Sequence, residues 1–387
     1  MSLGTNLKLA APYASLQAAI FLTLGIYLPF WPLWLESRGL TSTDIAILLA
    51  CAAWLRILAT PLFGYAADRW RHGVYLPQLL AGGAFCVFGL FHFLHGFWAL
   101  LAAQLVAICL FHPLIPLSDS RSMKAVRTYG LDYGRIRLWG SFTFILASSA
   151  GGWLIARSSP DSIVLLIMLG LGLAGLAACW LPSGRWEARG VERAALRSLI
   201  ADRTFLGFIV AAALLQSSHA VYYGFGSIYW RSIDFDEVTI GALWALGVIA
   251  EIAFFACGAY FLRRLGIRGL LILAGLAGLV RWSLTPLAFS PEIMGLLQCL
   301  HAFTYAAAHL GAMHFIAGHA PAALAASAQT LYAALTGGLA MGGMLFLAGP
   351  LYSEFQGHAY FFMGLLSTLG AIAAIALPSA NDHKEAP

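Results

Sequence analysis

Charge is what this sequence has least of. Only 10% of its 387 residues are charged, where a water-soluble domain carries roughly 25%, and its mean hydropathy is +0.81. That shortage excludes a soluble enzyme. No polar stretch is long enough for a separate water-soluble domain of about 100 residues. The six cysteines (Cys51, Cys86, Cys109, Cys179, Cys257, Cys299) fall singly within apolar segments, with no CxxC pair and no zinc-ligand spacing, so they read as small core residues. His301, His309 and His314 stand eight and five residues apart, which makes no compact metal site. No metal and no cofactor is expected. The net charge of +5 does not signal nucleic acid, because the basic residues sit at helix ends rather than on one continuous face. Nor does the N-terminus read as a signal peptide: it is uncharged up to Lys8 and lacks a small-residue cleavage site ahead of its first apolar run.

Apolar sequence is what the chain has in excess. At about 20 residues per crossing, it accommodates spans near 10–36, 43–67, 74–94, 97–123, 134–156 and 161–181, then 204–230, 238–262, 269–288, 292–317, 322–350 and 356–377. The expected fold is an all-α membrane protein of twelve transmembrane helices in two pseudo-symmetric six-helix bundles, 1–181 and 204–387. A polar linker, 182–203, carrying Arg185, Arg189, Arg193, Arg197 and Arg203, joins them. Basic residues at Lys8, Arg69, Arg71, Lys124, Arg127, in the linker, and at Arg263, Arg264 and Arg268 mark one side of the membrane, while the opposite loops are acidic. The positive-inside rule then places linker and both termini in the cytoplasm, which an even number of crossings also demands. Lipids are the expected surroundings, the chain is expected to be monomeric, and the setting is a bacterial inner membrane.

Tyr27, Phe30, Trp34, Ser37 and Ile45 are matched by Tyr222, Phe225, Tyr229, Ser232 and Ile240 at a constant offset of 195 residues. The halves therefore read as copies of one unit in the same orientation, an arrangement that puts a substrate site at the repeat interface near the midplane.

A few ionisable residues resist placement at a loop or helix end: Arg56, Asp119, Arg135 or Arg137, Glu251 and Arg281. Each costs at least about 2.5–3.5 kcal/mol near the bilayer centre, so each should face a cavity or a partner. Glu251 is the only charge between residues 238 and 262. A carboxyl removed from water favours its proton-bound form, as a proton carrier requires. Arg281, one helix later, is expected to hold that carboxyl ionised when it approaches, and His301 to join the pair. Asp119 and Arg137 lie on helices joined by a short loop, so acid and guanidinium are expected to meet, and the arginine can take a carboxylate bidentately. Arg56 corresponds to Glu251 by the repeat offset.

Tyr27 and Phe30, with Trp34, share a helix face, as do Tyr222 and Phe225, with Tyr229; Tyr223 is adjacent. They are expected to wall the site for a planar ligand. Pro29 and Pro32, like Gly224 and Gly226, are expected to bend their helices beside it.

The run Gly64-Tyr-Ala-Ala-Asp68-Arg69 resembles the G-x-x-x-D-R signature in the second-to-third-helix loop of the major facilitator superfamily. The resemblance implies a cytoplasmic gate formed by Gly64, Asp68 and Arg69; the counterpart at Gly258 to Arg264 lacks the aspartate. GIYLPFWPLWLESRGL (25–40), LDYGRIRLWGS (131–141), HAVYYGFGSIYW (219–230) and GVIAE (247–251) resemble the 3-phenylpropionic acid transporter family, related to the lactose permease and nucleoside:proton symporter branches. This implies the major facilitator fold, substrate contact by Arg137 opposite Asp119, and import of a small aromatic monocarboxylate with a proton. The segment from His301 resembles the permease segment whose histidine is followed three residues later by a glutamate; here that residue is Thr304, which moves proton coupling onto Glu251. A sugar, nucleoside or peptidoglycan-fragment symporter, or a drug exporter, is the alternative within the fold. A membrane-embedded enzyme using Asp119 and His112 lacks a nucleophile or metal set.

Overall fold

The computed structural model describes residues 3–69, 75–182, 201–321 and 324–377, all helical or connecting in character, with no strand among them. Backbone polar groups have no water to bond within a bilayer, so crossing segments must satisfy them internally, as helices do. The first seven helices are α1 (Leu3–Ser37), α2 (Ser42–Arg69), α3 (Leu76–Leu90), α4 (Phe97–Phe111), α5 (Leu114–Tyr129), α6 (Tyr133–Ile155) and α7 (Ser162–Cys179). They are followed by α8 (Arg203–Ser217), α9 (Ala220–Ser232), α10 (Glu237–Ala256), α11 (Gly258–Leu284) and α12 (Pro291–Cys299). The last four are α13 (Ala308–His319), α14 (Ala325–Tyr332), α15 (Met341–Phe355) and α16 (Tyr360–Ile375).

Among the described residues, ten segments are long and apolar enough to cross a membrane. One of these, Ser327–Ile375, turns at Gln356–Ala359 between α15 and α16 and so holds two crossings; the shorter α3 completes the set of twelve expected from hydropathy. Of the expected linker, residues 183–200 lie outside the described residues.

Several crossings are built from two helices rather than one. Pro113 lacks the N–H that would continue α4, so α5 begins afresh at Leu114. The crossing expected as a continuous 204–230 breaks at Ser218–His219, between α8 and α9. Between α12 and α13 a π-helical turn occupies Ala302–Ala307, and another occupies Ala333–Ala340 between α14 and α15. α1 runs unbroken through Pro29 and Pro32, and α9 through Gly224 and Gly226. In the crossing formed by α8 and α9, the interruption lies one turn before Tyr222, where His219 Nδ1 lies within bonding distance of the Leu215 and Gln216 carbonyl oxygens.

The chain forms two compact units, Met1–Arg189 with Asp234–Ala245, and Gly190–Ile233 with Leu246–Pro387. In the first, α1 packs tightly on α6 because Gly25 has no Cβ; one placed there would lie 2.7 Å from the Phe144 carbonyl oxygen. Small residues at such crossings let backbones approach where lipid removes any hydrophobic drive for helix association. In the second, Gly275 does the same for α11 on α16, where an added Cβ would lie 2.6 Å from the Ser367 carbonyl oxygen.

Candidate functional site

The second unit gathers its ionisable groups around Arg281, which is fully buried on α11. A guanidinium offers five donors and no acceptor, so every hydrogen bond to it defines the partner as an acceptor. Nη1 donates to His301 Nδ1 at 2.8 Å and to Thr304 Oγ1 at 3.1 Å, and Nη2 donates to Gln298 Oε1 at 2.8 Å. Its charge also rests against rings: the guanidinium carbon lies 4.8 Å from the Tyr222 centroid and 4.3 Å from that of Trp282. Burying a cation is costly unless its donors are met; Gln298 near the end of α12, His301 just before the π-helical turn and Thr304 within it meet those of the two terminal nitrogens.

His301 links this cation to Glu251. Because Nδ1 accepts from Arg281, the ring proton of the neutral imidazole sits on Nε2, which lies 2.9 Å from Glu251 Oε1 and donates to it. The Glu251 side chain keeps 17% of its surface accessible, against 7% for His301. The expected group of Glu251, Arg281 and His301 is brought together, with His301 bonded to both of the others. Tyr222 and Tyr223 complete the surroundings. Tyr222 packs on Trp282 and His301 at centroid distances of 5.9 and 5.7 Å. Tyr223 stacks on His219 at 5.7 Å.

The first unit holds its charges differently. Asp119 on α5 accepts from Gln17 Nε2 at 2.6 Å and from the Tyr133 hydroxyl at 2.9 Å. The expected meeting of Asp119 with Arg137 is replaced by these two neutral donors from α1 and the start of α6. Arg137 lies over Phe21, with its guanidinium carbon 3.9 Å from the ring centroid, and its Nη1 is buried without an acceptor. A buried donor left unmet costs about 1–3 kcal/mol, so this arginine retains capacity for an anionic ligand. Arg56 is half-buried on α2, within electrostatic reach of Tyr27 and His112.

The aromatics expected to wall the site mostly pack instead. Phe30 and Phe225 are fully buried; Phe225 stacks on Tyr352 at 4.7 Å. Tyr27 stacks on Trp31, and Trp31 on Trp34, at 5.7 and 4.8 Å, with Phe88 and Phe91 edge-on. Trp31 also donates to Gln104 at 2.8 Å. Spacing alone cannot distinguish an aromatic face that packs from one that lines a cavity. Of the expected gate, Gly64 has open space where a Cβ would stand, while the side chains of Asp68 and Arg69 lie outside the described residues.

Sequence reasoning missed Gln298 and His219 and read Thr304 only as a missing carboxylate. Neutral polar residues inside apolar helices barely change hydropathy, so their signal is their burial: Gln298 at 1%, Thr304 at 2% and His219 at 0% exposure. In the first unit Gln17, 0% exposed, escaped notice for the same reason.

Residues 13–364 match the MFS_1 like family. The chain belongs to that family. It is 32% identical over 365 residues to a probable 3-phenylpropionic acid transporter of Escherichia coli K12, covering 91% of this chain and 93% of that one. It is 27% identical to the maltose permease of Geobacillus stearothermophilus, covering 92% of each. Among solved structures, the nucleoside transporter NupG, from Escherichia coli K12, superposes with a TM-score of 0.83 at 17% identity, over 95% of this chain and 98% of that one. The fold is thus that of the major facilitator superfamily, and this family member is a multi-pass secondary transporter of a small molecule, not an enzyme.

Proposed function

We propose that this transporter is a symporter importing a small aromatic monocarboxylate, with 3-phenylpropionate as the representative substrate, together with one or more protons. The observation that carries the reading is the hydrogen-bonded series from Glu251 through His301 to the buried Arg281. A carboxyl with some access to solvent, tied to a neutral imidazole that is itself polarised by a cation, can exchange a proton and report the exchange to α11. Arg137, with its unmet donor over Phe21, supplies the anion ligand from the first unit, and Arg56, Tyr27 and Asp119 shape its surroundings. The name borne by the 32% identical relative supports the substrate class.

Energetics favour a proton partner. Importing a lone anion into a negative-inside cell opposes the potential by about 2.3 kcal/mol per charge per 100 mV, and one proton cancels that charge. The reading places the protein in a bacterial inner membrane with both termini cytoplasmic, Gly64, Asp68 and Arg69 serving the cytoplasmic gate.

Replacing Glu251 with glutamine removes the exchangeable proton but keeps an acceptor for His301. In proteoliposomes, Glu251→Gln is expected to abolish uphill accumulation driven by a pH gradient while leaving substrate counterflow intact. Undiminished accumulation would remove Glu251 from coupling. The maltose permease and the putative nucleoside transporter among the relatives favour a second reading, an uncharged substrate. Binding of 3-phenylpropionate compared with 3-phenylpropanol separates the two, since only the acid gains from Arg137.

A further inference from the structure

Arg281 reaches away from Glu251 as well as towards it. Its Nη1 is shared between His301 and Thr304, and Thr304 in turn lies 3.1 Å from His219 Nε2. The tautomer of His219 follows from its other nitrogen. Nδ1 sits 3.2 Å from both the Leu215 and Gln216 carbonyl oxygens, which only accept, so Nδ1 carries the ring proton. Nε2 is then a lone pair, and the Thr304 hydroxyl donates to it while accepting from Arg281. The two histidines therefore hold opposite tautomers, their ring centroids 5.5 Å apart. His301 points its N–H at Glu251; His219 points its N–H at the end of α8.

This makes a directed chain: backbone carbonyls of α8, His219, Thr304, Arg281, His301, Glu251. Its anchor is rigid, because His219 is fully buried and its Nδ1–H adds to the bonds that the Leu215 and Gln216 carbonyls take from the Ser218 hydroxyl and the His219 N–H at the end of α8. Gln298 holds the second arm of the guanidinium. We propose that Thr304 and His219 are positioning residues that hold Arg281 off Glu251, so that a neutral imidazole rather than a guanidinium contacts the proton-carrying carboxyl. The proposal rests on the reading of Glu251 as that carrier.

Without the hydroxyl, Arg281 Nη1 loses the acceptor that competes with His301, and the guanidinium is expected to turn towards the carboxylate. An opposite charge at close range favours the ionised form of a carboxyl, by an amount on the order of one pH unit or more. The other ionisable groups around Arg281 and Glu251 are phenols: Tyr222 and Tyr223 from α9, Tyr305 from the π-helical turn, and Tyr360 from α16. None changes charge near neutral pH at its ordinary value of about 10, so a moved profile reports on the chain itself.

The test compares the pH dependence of gradient-driven 3-phenylpropionate uptake in proteoliposomes for the unaltered protein, Thr304→Val, Thr304→Ser, His219→Gln and Glu251→Gln. Valine keeps the shape of threonine and removes the hydroxyl; serine keeps the hydroxyl. Glutamine at 219 sets an amide oxygen near the Nε2 position but loses the firm anchor on α8. Thr304→Val is expected to shift the half-maximal pH down by about one unit, Thr304→Ser to stay at the unaltered value, and His219→Gln to move partway in the acid direction. An unmoved or alkaline-shifted profile for Thr304→Val, or a Thr304→Ser shift equal to it, overturns the positioning role. Should Thr304→Val fail to fold, Thr304→Ser and His219→Gln still decide: an unmoved profile for His219→Gln overturns the proposal. Glu251→Gln is read separately, since retained concentrative uptake by that variant overturns the carrier assignment instead.

Discussion

Two arginines, the fully buried Arg281 of one unit and the half-buried Arg137 of the other, differ in how many of their donors are already used. Arg281 gives hydrogen bonds to three side chains and lies over two rings, so both of its terminal nitrogens are engaged and only its Nε is left without an acceptor. Arg137 has one ring beneath it and a buried Nη1 with nothing to bond. A cation whose terminal nitrogens are engaged organises its neighbours; one with a terminal donor to spare is available to a ligand. Under the proposed symport, the contrast fits proton handling in the second unit and anion capture in the first.

The sharpest way to break that contrast is to remove each guanidinium in turn. Arg281→Ala orphans Gln298, His301 and Thr304 together, and breaking such a buried network costs roughly 3–5 kcal/mol; a large loss of thermal stability in detergent is expected. Arg137→Gln is expected to leave stability nearly unchanged while weakening 3-phenylpropionate binding about tenfold or more, since a hydrogen bond to a charged group is worth about 1.5–3 kcal/mol. Equal stability losses for the two variants would erase the distinction.

A smaller effect examines what keeps the first unit stiff around its available arginine. Trp31→Phe preserves most of the stack with Tyr27 and Trp34 but deprives the buried Gln104 oxygen of its donor, at about 1–3 kcal/mol, measurable as a lowered melting temperature.

The smallest effect lies at the membrane edge of the second unit. Asp202 caps α8 through the N–H groups of Thr204 and Phe205 and pairs with His319 Nε2 at 2.6 Å. Burial works against its ionised form, but the bonds from His319 and those two N–H groups outweigh it and hold the carboxyl below the ordinary 3.8. The stabilisation is thus present at neutral pH and lost as pH falls through the lowered value. Asp202→Ala is expected to cost about 1 kcal/mol at neutral pH, a difference from the unaltered protein that shrinks in acid. A gap that widens in acid would contradict the assignment.

How much of this was visible beforehand follows from what hydropathy registers. The crossings were legible because about 20 apolar residues in succession have few alternatives, and Glu251, Arg281 and Arg137 stood out because charge is so expensive in lipid. The break at Ser218–His219 was not, since neither residue is a helix breaker by type and only the Leu215 and Gln216 carbonyls reveal why a histidine stands there. Gln298 and Thr304 escaped because a neutral amide or hydroxyl raises no alarm in an apolar stretch. Phe30 and Phe225 misled, as a shared helix face says nothing about what lies opposite.

The π-helical turn at Ala302–Ala307 carries a consequence for how this family member can change. A π turn accommodates one residue beyond what an α-helix needs, commonly at functional positions, and each residue of an α-helix advances the side chains by about 100°. Because the wide turn absorbs that extra residue, losing a single alanine there would let the crossing close up as ordinary helix with His301 and His309 kept close to their present register. The side chains inside the turn, Thr304 among them, would be re-aimed while the span kept its length and membrane anchorage, so this short stretch concentrates change on the residue that bonds Arg281.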